Sequence, residues 1–501
     1  MDRSPTVEVV DEEHLAELLQ SMGKSYGTRL TPELTQQLCE RGKGKLLTAG
    51  EIKPQGAGYT VELSVHDCRS HRTLSQQRVE SKDEDEVMAT VNQLAAATRL
   101  QLSGDSGYPP ASPAPLPTTS LPAYKAFLMG ATLVHSQPQQ SADLLRRATE
   151  LDPNFAEAWS WLDIADNMLG ETQRESQDLT RAFALRNRMP DNLKAFSEAR
   201  YYLAVTGEIY KGIDALRSWE KLEPKEFPPH NLLGINYSDL GLYQKATDEL
   251  QQAAVLFPSE ELGYENLARV LLEQGRYDEA ENTLRRIPKE EPDPPSLHSL
   301  KYSLALLRSD HAALDRERTW MTQNADDLSV VSTQARIDLV DGRLDSARQR
   351  TQHAVSIARE SNLKESAANA LLFLADAQAL FGESTAAHKN CSDAMKFEGS
   401  KSVKVVAARV MAFNGEGREP QQIMDGLMHD YPLDTLLNGV DAPVILAASQ
   451  LRKGQADQVL RTLEAVKPYE FGRYAGLLPN YRERYLNPIL STSADCGKLG
   501  A

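Results

Sequence analysis

Between residues 59 and 66, apolar Tyr59, Val61, Leu63 and Val65 alternate with Thr60, Glu62, Ser64 and His66. That two-residue period predicts a strand with one buried face. Lys45–Ile52 and Arg72–Val79 flank it as further strands, and Gly56-Ala57-Gly58 joins the first two as a hairpin turn. Ahead of them, Val7–Val10 reads as a short strand and Asp11 as the cap of a helix over Glu12–Met22. Thr31-Pro32-Glu33 opens a second helix that runs to Arg41 and stops before Gly42. From Glu84 to Leu102 the spacing turns helical again, with Val87, Val91, Leu94, Ala95 and Leu102 on one stripe. The order is β-α-α-β-β-β-α, a small α+β unit.

Residues 107–122, GYPPASPAPLPTTSLP, carry six prolines. Proline removes backbone donors and blocks both helix and central strand, so this segment predicts a semi-extended linker. Beyond it the pattern is helical almost throughout. A glycine closes the first helix of each pair at Gly170, Gly207, Gly241, Gly275, Gly342, Gly382 and Gly454. The intervals are 37, 34, 34, 67, 40 and 72 residues. The two long ones each hold a degenerate unit, around Ser309 and around Gly417. Seven residues before the glycine stand Gly234, Ala268, Ala335, Ala375 and Ala447. Five after it stand Gly212, Ala246, Ala280, Ala347 and Ala387. Small side chains at both places let two antiparallel helices approach closely. Pro224, Pro258 and Pro292 fall seventeen residues past their glycines and predict the end of the second helix.

The best-formed units hold Gly234, Tyr237, Gly241, Tyr243, Ala246 and Pro258, then Ala268, Gly275, Tyr277, Ala280 and Pro292. This spacing resembles the tetratricopeptide repeat over roughly residues 122–468. The resemblance implies a mainly α protein, a helical superhelix (α-solenoid) of nine or ten pairs preceded by the small α+β domain. The boundaries read as 1–106 for the α+β domain, 107–122 for the linker, 123–481 for the array and 482–501 for an irregular tail. Gly50-Glu51-Ile52 followed by Gly58-Tyr59-Thr60-Val61-Glu62-Leu63 resembles the later part of a TolB-like domain. Such domains precede tetratricopeptide arrays in bacterial serine/threonine kinase signalling proteins, notably of Acidobacteria. They normally begin with a further strand and helix, so this copy reads as incomplete.

The net charge of −16 over 501 residues argues against non-specific binding to nucleic acid or anionic membranes. Cys39, Cys68, Cys391 and Cys496 are scattered, which does not read as a disulfide framework and fits a reducing compartment. The apolar stretch 370–381 is interrupted by Asp376 and is short of the ~18–20 residues of a membrane span. The amino terminus lacks the apolar core of a signal peptide. The chain as written is expected in the cytoplasm, or outside it if it belongs to a membrane-anchored receptor.

No phosphate-binding loop, HExxH, HRD or DFG motif occurs, so no enzyme activity and no cofactor are expected. His66, Cys68 and His71 form the one cluster with metal-like spacing, and a polar strand exit is the competing reading. The resemblance implies that first helices line a concave groove. It assigns to that groove Asn231, Ile235 and Ser238, then Glu265, Arg269 and Leu272, then Ser332, Arg336 and Leu339. The partner expected there is a protein or peptide. The Lys-and-Asn pattern by which chaperone-binding relatives clamp a carboxylate is absent. The expectation is a non-catalytic interaction scaffold. The alternative is the sensory or docking half of a bacterial receptor serine/threonine kinase or other signalling protein whose effector lies elsewhere.

Overall fold

In the computed structural model, the residues described are 45–103 and 116–469 with short breaks, Gly472, and parts of 18–42. The expected strand at Val7–Val10, nearly all of the helix at Glu12–Met22 and the proline-rich 107–115 lie outside them, as does the tail from 473. The chain forms two compact units, residues 1–168 with 184–190, and residues 169–183 with 191–501.

In the first unit, α1 (Pro32–Gly42) precedes strands β1 (Leu46–Gln55), β2 (Gly58–Asp67) and β3 (Thr73–Ser81). They pair antiparallel in the order β1-β2-β3. Val61 sits opposite both Ile52 and Val79. α2 (Glu84–Ser103) lays Val87, Met88 and Leu94 against Val61, and Leu116 and Leu121 join the same cluster. The end of the expected linker is therefore folded: Ser120 caps α3 (Leu121–Ala131), accepting from the Ala123 backbone. α4 (Pro138–Leu151) and α5 (Ala156–Met168) follow. Gly130 lets α3 and α4 touch, since a Cβ there would stand 2.7 Å from Leu145.

The sulfurs of Cys39, on α1, and Cys68, just past β2, are joined in a disulfide with Cα atoms 5.0 Å apart. This corrects the expectation of four scattered thiols. Sequence separation hid a pair that folding brings together across 29 residues. Closing a loop of that length is worth about 3.6 kcal/mol through the unfolded chain. Alkylation of denatured, unreduced protein is expected to label Cys391 and Cys496 and spare the Cys39–Cys68 pair. Labelling at all four positions would refute the bridge.

The second unit begins with α6 (Thr172–Leu185), of which residues 172–183 belong to it. α7 (Asp191–Arg200) continues as a π-helical turn to Thr206 and is followed by α8 (Ile209–Leu222). Next come α9 (Phe227–Asp239) with α10 (Tyr243–Leu256), and α11 (Glu261–Glu273) with α12 (Tyr277–Leu284). α13 (Pro295–Leu307) and α14 (His311–Gln323) form the next pair, then α15 (Leu328–Val340) and α16 (Leu344–Glu360). α17 (Lys364–Leu380) pairs with α18 (Ser384–Phe397), α19 (Lys401–Phe413) with α20 (Glu419–Asp430), and α21 (Ala442–Arg452) with α22 (Ala456–Glu464).

The expected glycines all turn the chain with positive φ, from 71° at Gly454 to 80° at Gly382. At Gly241 the Leu242 N–H reaches back to the Tyr237 carbonyl at 2.8 Å, the bond that closes a helix end around a left-handed residue. Ser309 (φ 56°) fills the same role in one degenerate unit. In the other it is Gly415 (φ 84°), not Gly417, that turns the chain. α8 and α10 end two residues before Pro224 and Pro258, whereas α12 stops at Leu284; Pro292 lies outside the described residues. The small residues meet partner helices as expected. A Cβ on Gly234 would fall 2.4 Å from Leu250, and Ala246, Ala268 and Ala280 are fully buried.

One feature had no sequence signal. The second unit bonds its own beginning to a region nearly two hundred residues on. Glu365, fully buried, accepts from Thr172 Oγ1 at 2.7 Å, the Gln173 backbone N–H at 3.2 Å and Ser400 Oγ at 3.0 Å, and also from Ser402. In return Glu171 accepts from the Glu365 backbone N–H at 3.0 Å. Each glutamate thus caps the start of the other's helix, where free N–H groups and the helix dipole favour a carboxylate. Arg174 adds a bond to the Asn362 carbonyl at 2.8 Å. Farther along, the Thr435 N–H donates to the Gly207 carbonyl at 2.9 Å.

Candidate interaction surface

First helices touch first helices from pair to pair through α9, α11, α13, α15, α17, α19 and α21. Second helices make no comparable contact with the next second helix among the described residues. The first helices therefore form the tighter layer, and the candidate residues lie on it.

Three of them are consumed within the layer. Asn231 Oδ1 accepts from Asn266 Nδ2 at 2.9 Å, and both residues are buried. Ser238, fully buried, donates to Glu273 at 2.9 Å. Glu265, buried, accepts from Ser296 Oγ at 2.9 Å, and burial raises its pKa against the pull of Ser296, Arg269 and Lys301. These bonds tie neighbouring repeats, as Ser299 does with Thr333 at 3.4 Å.

The other six, Ile235, Arg269, Leu272, Ser332, Arg336 and Leu339, remain partly accessible. Leu272 packs beside the cluster around Tyr264 and Ala268. Arg336 donates to Thr333 Oγ1 at 3.2 Å and lies 5.3 Å from the centre of the Phe373 ring. Phe373, on α17, escaped the sequence reading because its repeat has a 40-residue interval that blurs the register.

The metal reading of His66, Cys68 and His71 is corrected. Cys68 is bonded to Cys39, and the His66 ring bonds Ser64 at 2.9 Å and Thr73 at 3.2 Å. His71 lies outside the described residues. Two other groups bring ligand-type atoms within 4.8 Å: Glu220, His230 and Glu249, and His388, Glu416 and Glu419. In each the imidazole Nδ1 is already on a carboxylate, Glu249 at 2.8 Å and Glu416 at 2.7 Å. A cavity of about 290 Å³ against α15 and α16 is lined by Gln334, Ser346, Arg350 and His353 among others. Its Arg350 is held by Asp338 at 2.8 Å and Gln334 at 2.6 Å.

The His230–Glu249 pair recurs as His298–Glu317, 2.6 Å apart, with the same 19-residue separation. The two histidines are 68 residues apart, two units of the 34-residue register, so this was a signal the sequence offered. The bond to Glu249 raises the His230 pKa, opposed by burial and helped by the Pro224 carbonyl and Glu220. A raised folded-state value means the pair stabilises the fold fully below about pH 6.5, the unfolded value, and less as pH rises through the folded one. Thermal melts from pH 5.5 to 8.5 are expected to show a wild-type advantage over Glu249→Gln that fades with rising pH. A constant difference would remove the charge from the explanation.

No described helix is long and apolar enough to cross a membrane. No curated protein is significantly similar to the chain. Among solved structures, a thermophilic tetratricopeptide repeat protein of Thermus thermophilus is 24% identical, covering 37% of this chain and 99% of that one, with a TM-score of 0.32. A tetratricopeptide repeat protein of Parabacteroides merdae is 15% identical over 49% of this chain and 97% of that one, with a TM-score of 0.33. PilW, described as a type IV pilus biogenesis factor, is 15% identical over 40% and 93%, with a TM-score of 0.31. Over residues 237–304 the chain matches the tetratricopeptide repeat family.

Proposed function

We propose that the chain is a non-catalytic scaffold that holds a protein or peptide on the layer formed by its first helices. One observation carries this reading. The recurring residues Gly234, Tyr237, Ala246, Ala268 and Ala280 are buried in stacking, while Ile235, Arg269, Leu272, Ser332, Arg336 and Leu339 keep surface that packing does not need. Variable, partly apolar positions on a fixed framework are how repeat arrays separate specificity from stability. The proposed organisation is an α+β domain at 1–106, a linker from 107 that ends before the packed residues Leu116–Leu121, and an array from there to 481.

A second reading is the sensory half of a bacterial receptor serine/threonine kinase, with its effector outside this sequence. The Cys39–Cys68 disulfide favours it, because such bonds persist in oxidising compartments. Affinity capture with the full chain, repeated with Ile235→Glu combined with Leu339→Glu, tests the scaffold. The expected result is a partner retained by wild type and lost by the variant at unchanged helicity. Equal capture by both would sink it.

A further inference from the structure

The buried ring of His230 has one nitrogen fixed as a donor. Its Nε2 lies 3.3 Å from the Pro224 carbonyl oxygen. A carbonyl only accepts, so Nε2 carries a hydrogen. Nδ1 is left with a lone pair aimed at carboxylates, Glu249 Oε2 at 2.8 Å and Glu220 Oε1 at 4.0 Å. A lone pair facing anions is repulsive unless a cation stands between them. A second ring proton fills that place in the metal-free protein, but it sets one positive charge against two carboxylates. A divalent metal ion on the neutral ring balances both. His298, 68 residues on, is an internal comparison. Its Nδ1 meets Glu317 at 2.6 Å, but its Nε2 makes no hydrogen bond among the described residues, with Asp293 3.9 Å away. That ring serves Glu317 as a neutral Nδ1–H donor and needs no added cation. The position matching Glu220 there is Pro288, which brings no carboxylate.

We propose that Glu220, His230 and Glu249 form a zinc site, with water as the fourth ligand. This goes beyond the scaffold reading and does not rest on it. An imidazole nitrogen with carboxylate oxygens is a usual zinc donor set, whereas calcium and magnesium take oxygen alone. The three ligand atoms lie within 4.8 Å of one another. A tetrahedral ion with bonds of ~2.1 Å spaces its ligand atoms ~3.4 Å apart. The Nδ1 distances of 2.8 and 4.0 Å to the carboxylates bracket that spacing. The Pro224 carbonyl supplies the outer partner that a metal-bound histidine uses to fix its ring. Both glutamates are partly exposed, so an ion enters from solvent, and the ring proton it displaces leaves to solvent. Glu220 is on α8, His230 on α9 and Glu249 on α10, so the ion would clip two neighbouring repeats together.

The test uses the full chain, stripped of metal with a chelator and titrated with zinc chloride against a competing chromophoric chelator. Wild type is expected to bind zinc, and Glu220→Gln to weaken that binding about tenfold or more. Glu220→Gln keeps the His230–Glu249 pair and changes a partly exposed residue, so it is expected to fold. His230→Gln is expected to abolish the site. Glu223→Gln removes the same charge from an exposed neighbour and is expected to leave the affinity unchanged. His388→Gln, which breaks the other cluster, is expected to leave it unchanged as well. Zinc is also expected to raise the melting temperature of wild type more than that of Glu220→Gln. No zinc binding, a loss of less than tenfold in Glu220→Gln, an equal loss in Glu223→Gln, or a site abolished by His388→Gln would each overturn the proposal.

Discussion

Glu365→Ala is expected to loosen residues 172–183 from the rest of the second unit and to cost about 2–3 kcal/mol. The side chain is fully buried and gathers Thr172, Gln173, Ser400 and Ser402 onto two oxygens. Alanine leaves all four donors without their acceptor, and of these Ser400 is buried while Thr172, Gln173 and Ser402 keep access to water. Glu365→Gln keeps the volume but turns half the group into a donor facing donors, so it is expected to recover only part of the loss. Because Glu171 caps the helix that carries Glu365, Glu171→Ala and Glu365→Ala are expected to be non-additive. Hydrogen exchange reads the effect directly. Amides of 172–183 should exchange faster in Glu365→Ala, while those of α11 and α13 keep their protection. Unchanged protection at 172–183 would show that the reciprocal caps hold nothing together.

Gly207→Ala is the second large effect, and Gly275→Ala is its control. Both glycines sit at φ 72°, so each alanine pays the left-handed penalty of about 1–2 kcal/mol. Nothing lies within 4 Å of the new Cβ at Gly275. At Gly207 the Cβ would fall 2.2 Å from the Asp434 carboxylate. Asp434 is buried, bonded to Lys401 at 2.7 Å and to the Leu437 backbone at 2.9 Å. Making room means pushing a buried anion off its cation, which adds about 3–5 kcal/mol if the pair breaks. Gly207→Ala is therefore expected to melt well below Gly275→Ala. Equal melting temperatures would mean that the Asp434 contact yields freely.

What could be read from the sequence was local. A glycine that turns a helix, a small residue where helices cross and an alternating strand each act within one repeat. The register of Gly241 and Gly275 accordingly found the turns, the helix pairs and the stacking faces. It placed Arg336 on the first-helix layer but not the Phe373 ring beside it, which sits one irregular repeat away. It failed where two distant segments meet. Neither Glu171 and Glu365 nor Cys39 and Cys68 share any period. Asn231, Ser238 and Glu265, expected to face a partner, are spent on bonds between repeats, a fate that spacing alone does not reveal. Pro292 was a plausible stop signal, yet α12 ends at Leu284.

An open stack of repeats can gain or lose one by duplication, because each unit needs only its two neighbours. The second unit lacks that freedom. Gly207 bonds Thr435, and Glu171 and Glu365 cap each other's helices, so the helices between must deliver the chain to a fixed address. Inserting or deleting one unit there would displace one side of each contact by a full helix pair. Copy number in this stretch is thus set by geometry, and variation in length is to be sought elsewhere in the array.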